Sequence, residues 1–357
     1  MGYAEGSLWF YAPNKGAPIA FAVFFAISGC VHIYELTRWK CWKVAGLLPW
    51  AALLFVAGFI LREIGAFHYT NLNIYIASSV LLLCAPPVYE GANYFILGRI
   101  LYYIPYHSPI HPGRVVSTFV GLDAAVGALT GNGASRFSSD KPSARATGEA
   151  LLKAALLIQL ACMGLYLGIA GRFHHNVRRA GLLTPRLARV LRVLYASCTL
   201  ITARTIYRTV EYWAAASGVN SATAGGDAAS SPNAWSPVLR QEWFFWVFEA
   251  TLMLSNSVML NVWHPMSALP RSNKIYLLPD GATEVEGAGF QDPRPFLLTV
   301  VDPFDLVGLV RGRDKETKFW ETHTTPQQEQ GLADGATRTA SDDVEAIALQ
   351  DSRGAGK

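Results

Sequence analysis

Seven stretches of predominantly apolar residues constrain this chain more than any other feature, because roughly 20 such residues cross the hydrocarbon core of a bilayer as one helix. They run over residues 17–35, 44–61, 72–97, 115–130, 150–169, 187–213 and 243–263. Trp and Tyr collect at many of their ends, where interfacial belts form. Water is a poor solvent for such a chain: 51% of its residues are hydrophobic and 16% are charged, against about 25% charged in soluble domains. The expected fold class is therefore all-α, a polytopic membrane bundle of seven transmembrane helices over 17–265.

Direction follows from the basic residues. Arg38, Lys40 and Lys43 lie in the first loop, Arg99 and Arg114 in the third, and Arg172, Arg178, Arg179 and Arg186 in the fifth. The other side holds Arg62, Arg136, Lys141, Arg145 and Arg240. Lys and Arg favour the cytoplasmic side. The odd loops are thus expected inside, with residues 1–16 outside and the tail cytoplasmic. The first apolar run has no basic segment before it and no evident cleavage site after it, so it is read as a span. The fourth run, which contains Asp123 and several glycines, is the weakest; without it the N-terminus would face the other way.

Composition changes after Pro265. Residues 266–357 are rich in Gly, Pro, Asp, Glu, Thr and Gln and read as a mostly disordered tail. A cytoplasmic partner for it is one expectation, and the apolar stretch 296–310 would serve a partner or the membrane surface. Residues 217–237 read as a flexible Gly/Ala/Ser loop.

The chemistry sits inside the spans. An ionisable residue there costs about 2.5–3.5 kcal/mol on insertion scales and usually faces the bundle interior with a partner. Arg204, Arg208 and Glu211 are spaced i, i+4, i+7 and share one helical face. Arg208 and Glu211 can pair, which leaves Arg204 to find an acceptor among Glu90, Asp123 and Glu249. Asn93, Asn256 and Asn261 add hydrogen-bonding groups. Such a set is either a polar lock between helices or a cavity for a charged headgroup or a proton. The arginines would suit phosphate or carboxylate, and the carboxyls would suit an amine. Pro86 and Pro87 are expected to break the third span.

Other classes lack support. The net charge of +4 is small and scattered, which argues against nucleic acid. Four of the five cysteines lie in apolar runs, so no disulfide framework is expected. Cys41, beside basic residues, is read as an unmodified thiol rather than a palmitoylation site. No metal site, catalytic group or cofactor is expected: His107 and His111 lie in a Pro-bounded loop, where metal binding is the weaker reading, no His pair shares a helical face, and there is no nucleotide loop and no G-x-S-x-G. His32 reads as a packing residue, and His264 as a cap on the carbonyls of the seventh helix.

Several motifs together resemble a known family. Tyr11-Ala12-Pro13 precedes the first span, and Arg62-Glu63-Ile64-Gly65 ends the second. Ala85-Pro86, Ala92, Tyr94 and Leu97-Gly98-Arg99-Ile100 mark the third, and Asp123 the fourth. Arg204 to Glu211 (RTIYRTVE) is the most specific piece, and Glu242 with His264-Pro265 completes the set. In this order they resemble the fungal lipid-translocating exporters, the RTA-like proteins. The loop before the seventh span is longer than that family's, and Glu249 stands where an Asp is usual. The resemblance implies seven helices, an outside N-terminus and efflux of a sphingoid-base-like lipid or toxic amphiphile; the missing nucleotide loop argues against ATP as the drive, and the plasma membrane is the expected location, with other endomembranes as the alternative. A seven-helix lipid sensor signalling through the tail ranks second, and a lipid-modifying enzyme third.

Overall fold

The computed structural model describes residues 11, 13–68, 70–137, 141–223, 236–270, 272, 274–281, 283–286 and 302. Its helices are α1 (Ala17–Trp39), a single turn α2 (Trp42–Ala45), α3 (Leu47–Phe67), α4 (Leu72–Tyr103), α5 (Pro112–Phe137), α6 (Pro142–Arg179) and α7 (Pro185–Thr223). After the short α8 (Pro237–Arg240) the chain runs without interruption through α9 (Trp243–Phe245), a π-helical turn (Trp246–Thr251) and α10 (Leu252–Val262).

Local sequence explains most of the helix ends. Proline opens α5, α6 and α7 at the first position, where its missing N–H would have had no helical partner anyway. Asn71 caps α4, its side-chain oxygen accepting from the amides of Asn73 and Ile74 at 3.0 and 3.3 Å. The α6–α7 connection turns on Gly181, whose φ of 72° favours glycine. Pro86 and Pro87 correct the expectation of a broken third span: α4 continues helically past both. Two missing donors leave two carbonyls unbonded, and flanking turns together with neighbouring helices hold the helix through that gap.

The helices pack as a closed ring. α3 lies between α1 and α4, and α5 between α4 and α6. α7 touches α6 and α10, and α10 returns to α1, while α4 also reaches α7 across the interior. Phe25 stacks on Phe55 at 4.4 Å and Phe21 on Trp246 at 5.3 Å, filling the space where α1, α3 and the last helix meet. Several helix contacts leave no room for a Cβ at a glycine, and Gly58 and Gly133 are two of them. A Cβ on Gly58 would stand 2.8 Å from Leu82, and one on Gly133 would stand 2.7 Å from Leu152. Small residues of this kind let membrane helices approach closely.

Six of the helical segments are long and apolar enough to cross a membrane: α1, α3, α4, α5, α6 and the stretch Trp243–Ser267. The doubtful fourth run is among them, as α5. α7 is long enough but not apolar enough, since Arg204, Arg208 and Glu211 stand in it. Its charges turn inward, however: Arg204 is buried, while Ile206 and Val210 are exposed. The outer surface of α1 follows the same pattern, with Ile19, Val23, Phe24 and Ile27 exposed. Apolar outside and charged inside is the arrangement a lipid solvent selects. Several helices overrun the expected spans. The 38 residues of α6 extend about 57 Å at 1.5 Å per residue, well past a hydrocarbon core of about 30 Å.

The described part of the tail has structure. A 3-10 turn (Pro265–Ser267) leads to a hairpin of β1 (Ile275–Leu277) and β2 (Glu284–Glu286), with Tyr276 opposite Val285. Tyr276 and Leu277 are buried, and Tyr103 at the end of α4 donates to Glu284 at 2.8 Å. The expected disorder concerns residues that, for the greater part, lie outside the described ones, as does the 296–310 stretch apart from Asp302. The loop expected over 217–237 is helical as far as Thr223, and residues 224–235 lie outside the described set.

Candidate functional site

The inward face of α7 meets the π-helical turn of the last helix. The wider turn is supported by Thr251, whose hydroxyl donates to the carbonyl of Trp246 five residues back, at 2.8 Å. Turns of this kind recur at functional sites. This one carries Glu249, which is fully buried.

Glu249 is the acceptor that Arg204 needs. Arg204 bonds it through two nitrogens, Nε to Oε2 at 2.9 Å and Nη2 to Oε1 at 2.7 Å. That is the bidentate fork of a strong arginine–carboxylate pair. Arg208 adds Nε to Glu249 Oε2 at 2.8 Å and Nη1 to Glu211 Oε2 at 2.7 Å. Tyr207 donates to the other oxygen of Glu211 at 3.1 Å. Two arginines and two carboxylates therefore neutralise one another, which removes most of the penalty of holding them out of water.

The remaining carboxyls form a different group. Glu90 on α4 is buried and accepts from Gln159 Nε2 of α6 at 3.0 Å. Asp123 on α5 is close enough to interact with it, and Tyr94 interacts with both. Asp123 Oδ2 is buried with no hydrogen-bond partner among the described residues. Neither carboxyl forms an ion pair there; Arg204 acts on Glu90 only from a distance. Asn93, one turn on from Glu90, donates to Ser197 of α7 at 2.8 Å, and its carbonyl accepts from Tyr166 at 2.7 Å. Tyr94 packs on Phe119 and Tyr166, with ring centres 5.1 and 5.2 Å away. Glu90, Asn93, Asp123, Arg204, Arg208, Glu211 and Glu249 thus come from three helices, α4, α5 and α7, and the π-helical turn.

The other motif residues tie down the ends of the bundle. Arg62 bonds Glu242 at 3.2 Å and Tyr11 at 2.7 Å, with Phe245 4.0 Å beneath its guanidinium. Glu242 also accepts the amide of Asn14, and Glu63 that of Gly16. This strap pins the segment before α1 across the tops of α3 and the last helix, and burial there pushes the Tyr11 hydroxyl up from its ordinary pKa. At the opposite end Arg99 donates to the carbonyl of Pro270. His264 does not cap the last helix as expected from its position: it is buried, and neither ring nitrogen has a hydrogen-bond partner among the described residues. Gln159, Ser197 and Tyr166 escaped sequence reasoning. A lone amide within an apolar run was the only signal for Gln159, and Ser197 and Tyr166 gave none.

An all-helical bundle with a lipid-facing apolar surface and a neutralised charge network inside defines a multi-pass membrane protein. The chain belongs to the family described as "RTA1 like protein", whose profile matches residues 49–226. It is 40% identical to the "Lipid-translocating exporter-like protein RTA1" of Leptosphaeria maculans over 90% of this chain, and it spans 62% of that protein's length. It is 32% identical to the protein of the same description from Ajellomyces capsulatus, covering 76% of this chain and 84% of that one. The "Probable lipid transporter atnI" of Emericella nidulans is 24% identical, over 73% of this chain and 68% of its own length. No solved structure matches.

Proposed function

We propose that this protein moves an amphiphile with a cationic head across the membrane, without ATP and without chemical change to the amphiphile. One observation carries the choice of head. Both arginines are engaged by Glu249 and Glu211, while buried Glu90 and half-buried Asp123 interact with each other and, among the described residues, have no cation bonded to either. An ammonium group would supply that cation; a phosphate would have to displace a bidentate carboxylate. The names of the relatives, lipid exporter and lipid transporter, support the transport reading.

In this reading α7 also crosses the membrane, as the sixth of seven spans. Its arginines are neutralised inside and its outward residues are apolar, so its low hydropathy does not prevent it from crossing. The N-terminus is then outside and the tail in the cytoplasm, with the plasma membrane as the location. A sphingoid base is the natural test ligand: it has one ammonium head and a single long chain.

Reconstitution of the full chain into liposomes with labelled cationic, zwitterionic and anionic single-chain amphiphiles tests this. The cationic probe should cross at least tenfold faster than in protein-free vesicles. Glu90→Gln combined with Asp123→Asn should remove that gain, and Arg208→Ala should abolish it at unchanged protein level. Rates equal to those of empty vesicles would sink the transport reading. Equal rates for cationic and anionic probes would sink the headgroup assignment alone. The second reading, a lipid sensor, draws on the hairpin, which joins the tail to α4 through Tyr103 and Glu284. Truncation after Glu286 keeps that contact and removes the rest of the tail: a transporter keeps its flux, whereas a sensor loses its signal.

A further inference from the structure

A second buried polar group lies outside the charged network, between α1, α4 and the end of α10. His32 is fully buried, His264 is 5% exposed and Glu35 is 9% exposed. His32 Nδ1 stands 3.5 Å from Glu35 Oε2, beyond ordinary hydrogen-bond length. His264 is near enough to interact electrostatically with both. Both ring nitrogens of His264, Nδ1 of His32 and Oε2 of Glu35 are buried and without hydrogen-bond partners among the described residues. Four unpaired polar atoms in one place are costly in any protein and more so within a membrane. No three His, Cys, Asp or Glu side chains among the described residues converge as metal ligands. The ligand that satisfies two imidazoles beside a carboxylate is then the proton.

The neighbouring hydroxyls give this proton two alternative arrangements. Asn261 Nδ2 donates to Ser28 Oγ at 2.7 Å, and Tyr89 donates to Ser257 Oγ at 2.6 Å. Ser28 and Ser257 share a bond of 2.7 Å, and His32 Nε2 is 3.3 Å from Ser257. If Ser28 donates to Ser257, Ser257 can donate to His32 Nε2, and the single proton of the neutral ring sits on Nδ1. If His32 takes a second proton, both of its nitrogens donate, one to Ser257 and one towards Glu35. Ser257 must then turn its own proton to Ser28. Starting from the ring with its proton on Nδ1, proton uptake at His32 reverses the hydroxyl chain and places a positive charge beside Glu35.

We propose that His32, Glu35 and His264 form a buried proton-binding site, with the Ser257–Ser28 pair as the hydrogen-bonded element that changes direction when the proton arrives. Uptake forms an N–H bond on an imidazole lone pair and breaks no bond of the protein. The other titratable or charged groups that face it are Tyr89 of α4, which acts through Ser257, and the Cys41 thiol, which interacts with Glu35 and with Arg99 of α4. The site stands apart from the Arg204–Glu249 network and does not depend on what the protein transports.

Nuclear magnetic resonance of the full chain in lipid nanodiscs, with 15N-labelled histidine and His32→Asn and His264→Asn for assignment, reads this proton directly. Across a pH series, His32 should pass from one ring N–H to two as the pH falls. Glu35→Gln, which removes the anion, should lower its midpoint by at least one pH unit, a tenfold loss of proton affinity. A His32 ring that keeps one tautomer over the whole range in the unaltered protein would overturn the proposal, whatever the variants do. So would an unchanged midpoint in Glu35→Gln.

Discussion

Arg204 and Glu249 make the test of structure against energy at the scale of residues. Both are almost wholly buried and each holds the other in two bonds. Removing one partner leaves a buried charge, a loss of about 3–5 kcal/mol, whereas replacing both by apolar side chains costs far less. Arg204→Met alone should therefore lower the unfolding temperature in detergent much more than Arg204→Met with Glu249→Leu, and fluorescence-detected melting would show the difference. Additive losses would mean that the pair contributes no coupling. Cys41 offers a second prediction, outside the spans. It is buried, and that burial pushes its thiol above the ordinary pKa. A thiol with a raised pKa has less thiolate at neutral pH. Labelling of Cys41 by a water-soluble thiol reagent should be slow at pH 7 and should speed up as the pH rises; fast labelling at pH 7 would contradict the burial.

Helices meet closely here because particular positions carry no side chain. At Gly58 the α3–α4 contact leaves no room beside Leu82, and at Gly133 the α5–α6 contact leaves none beside Leu152. Overpacking of this kind costs about 1–3 kcal/mol. Gly58→Val and Gly133→Val should each reduce the thermal stability of the purified protein. Gly127→Val is the control: nothing stands within 4 Å of a Cβ there, so its melting curve should not move. The π-helical turn belongs to the same scale. It places Glu249 opposite both arginines, and neither its position nor its width follows from hydropathy, since WVFEAT reads equally well as ordinary α-helix.

At the scale of the whole molecule, each end of the bundle is tied by a segment from outside it. Tyr11, Asn14 and Gly16 are held at one end by Arg62, Glu242 and Glu63. Pro270 and the hairpin are held at the other by Arg99 and Tyr103. The hairpin is thus part of the folded body. Truncation at Pro270 should lower thermal stability measurably more than truncation after Glu286. Equal melting of the two forms would show that the hairpin adds nothing to the bundle.

Hydropathy and length located the helices, including the weak fourth run, because burial in lipid is a property of roughly 20 consecutive residues and needs no partner. Spacing alone also paired Arg208 with Glu211, since residues three apart on a helix are neighbours whatever surrounds them. The sequence narrowed the partner of Arg204 to three carboxyls and could go no further. That choice depends on how each helix is rotated about its axis and on the π-helical turn, both set by packing between segments distant in the chain. Tertiary structure gave Glu249 to the arginines and, among the described residues, no cation to Glu90 or Asp123. It also carried α4 unbroken through two prolines and brought His264 beside His32 and Glu35, more than 200 residues earlier in the chain. The charged face of α7 could be read from spacing, but which carboxylate from elsewhere in the chain satisfies it was decided only when the helices closed into a ring.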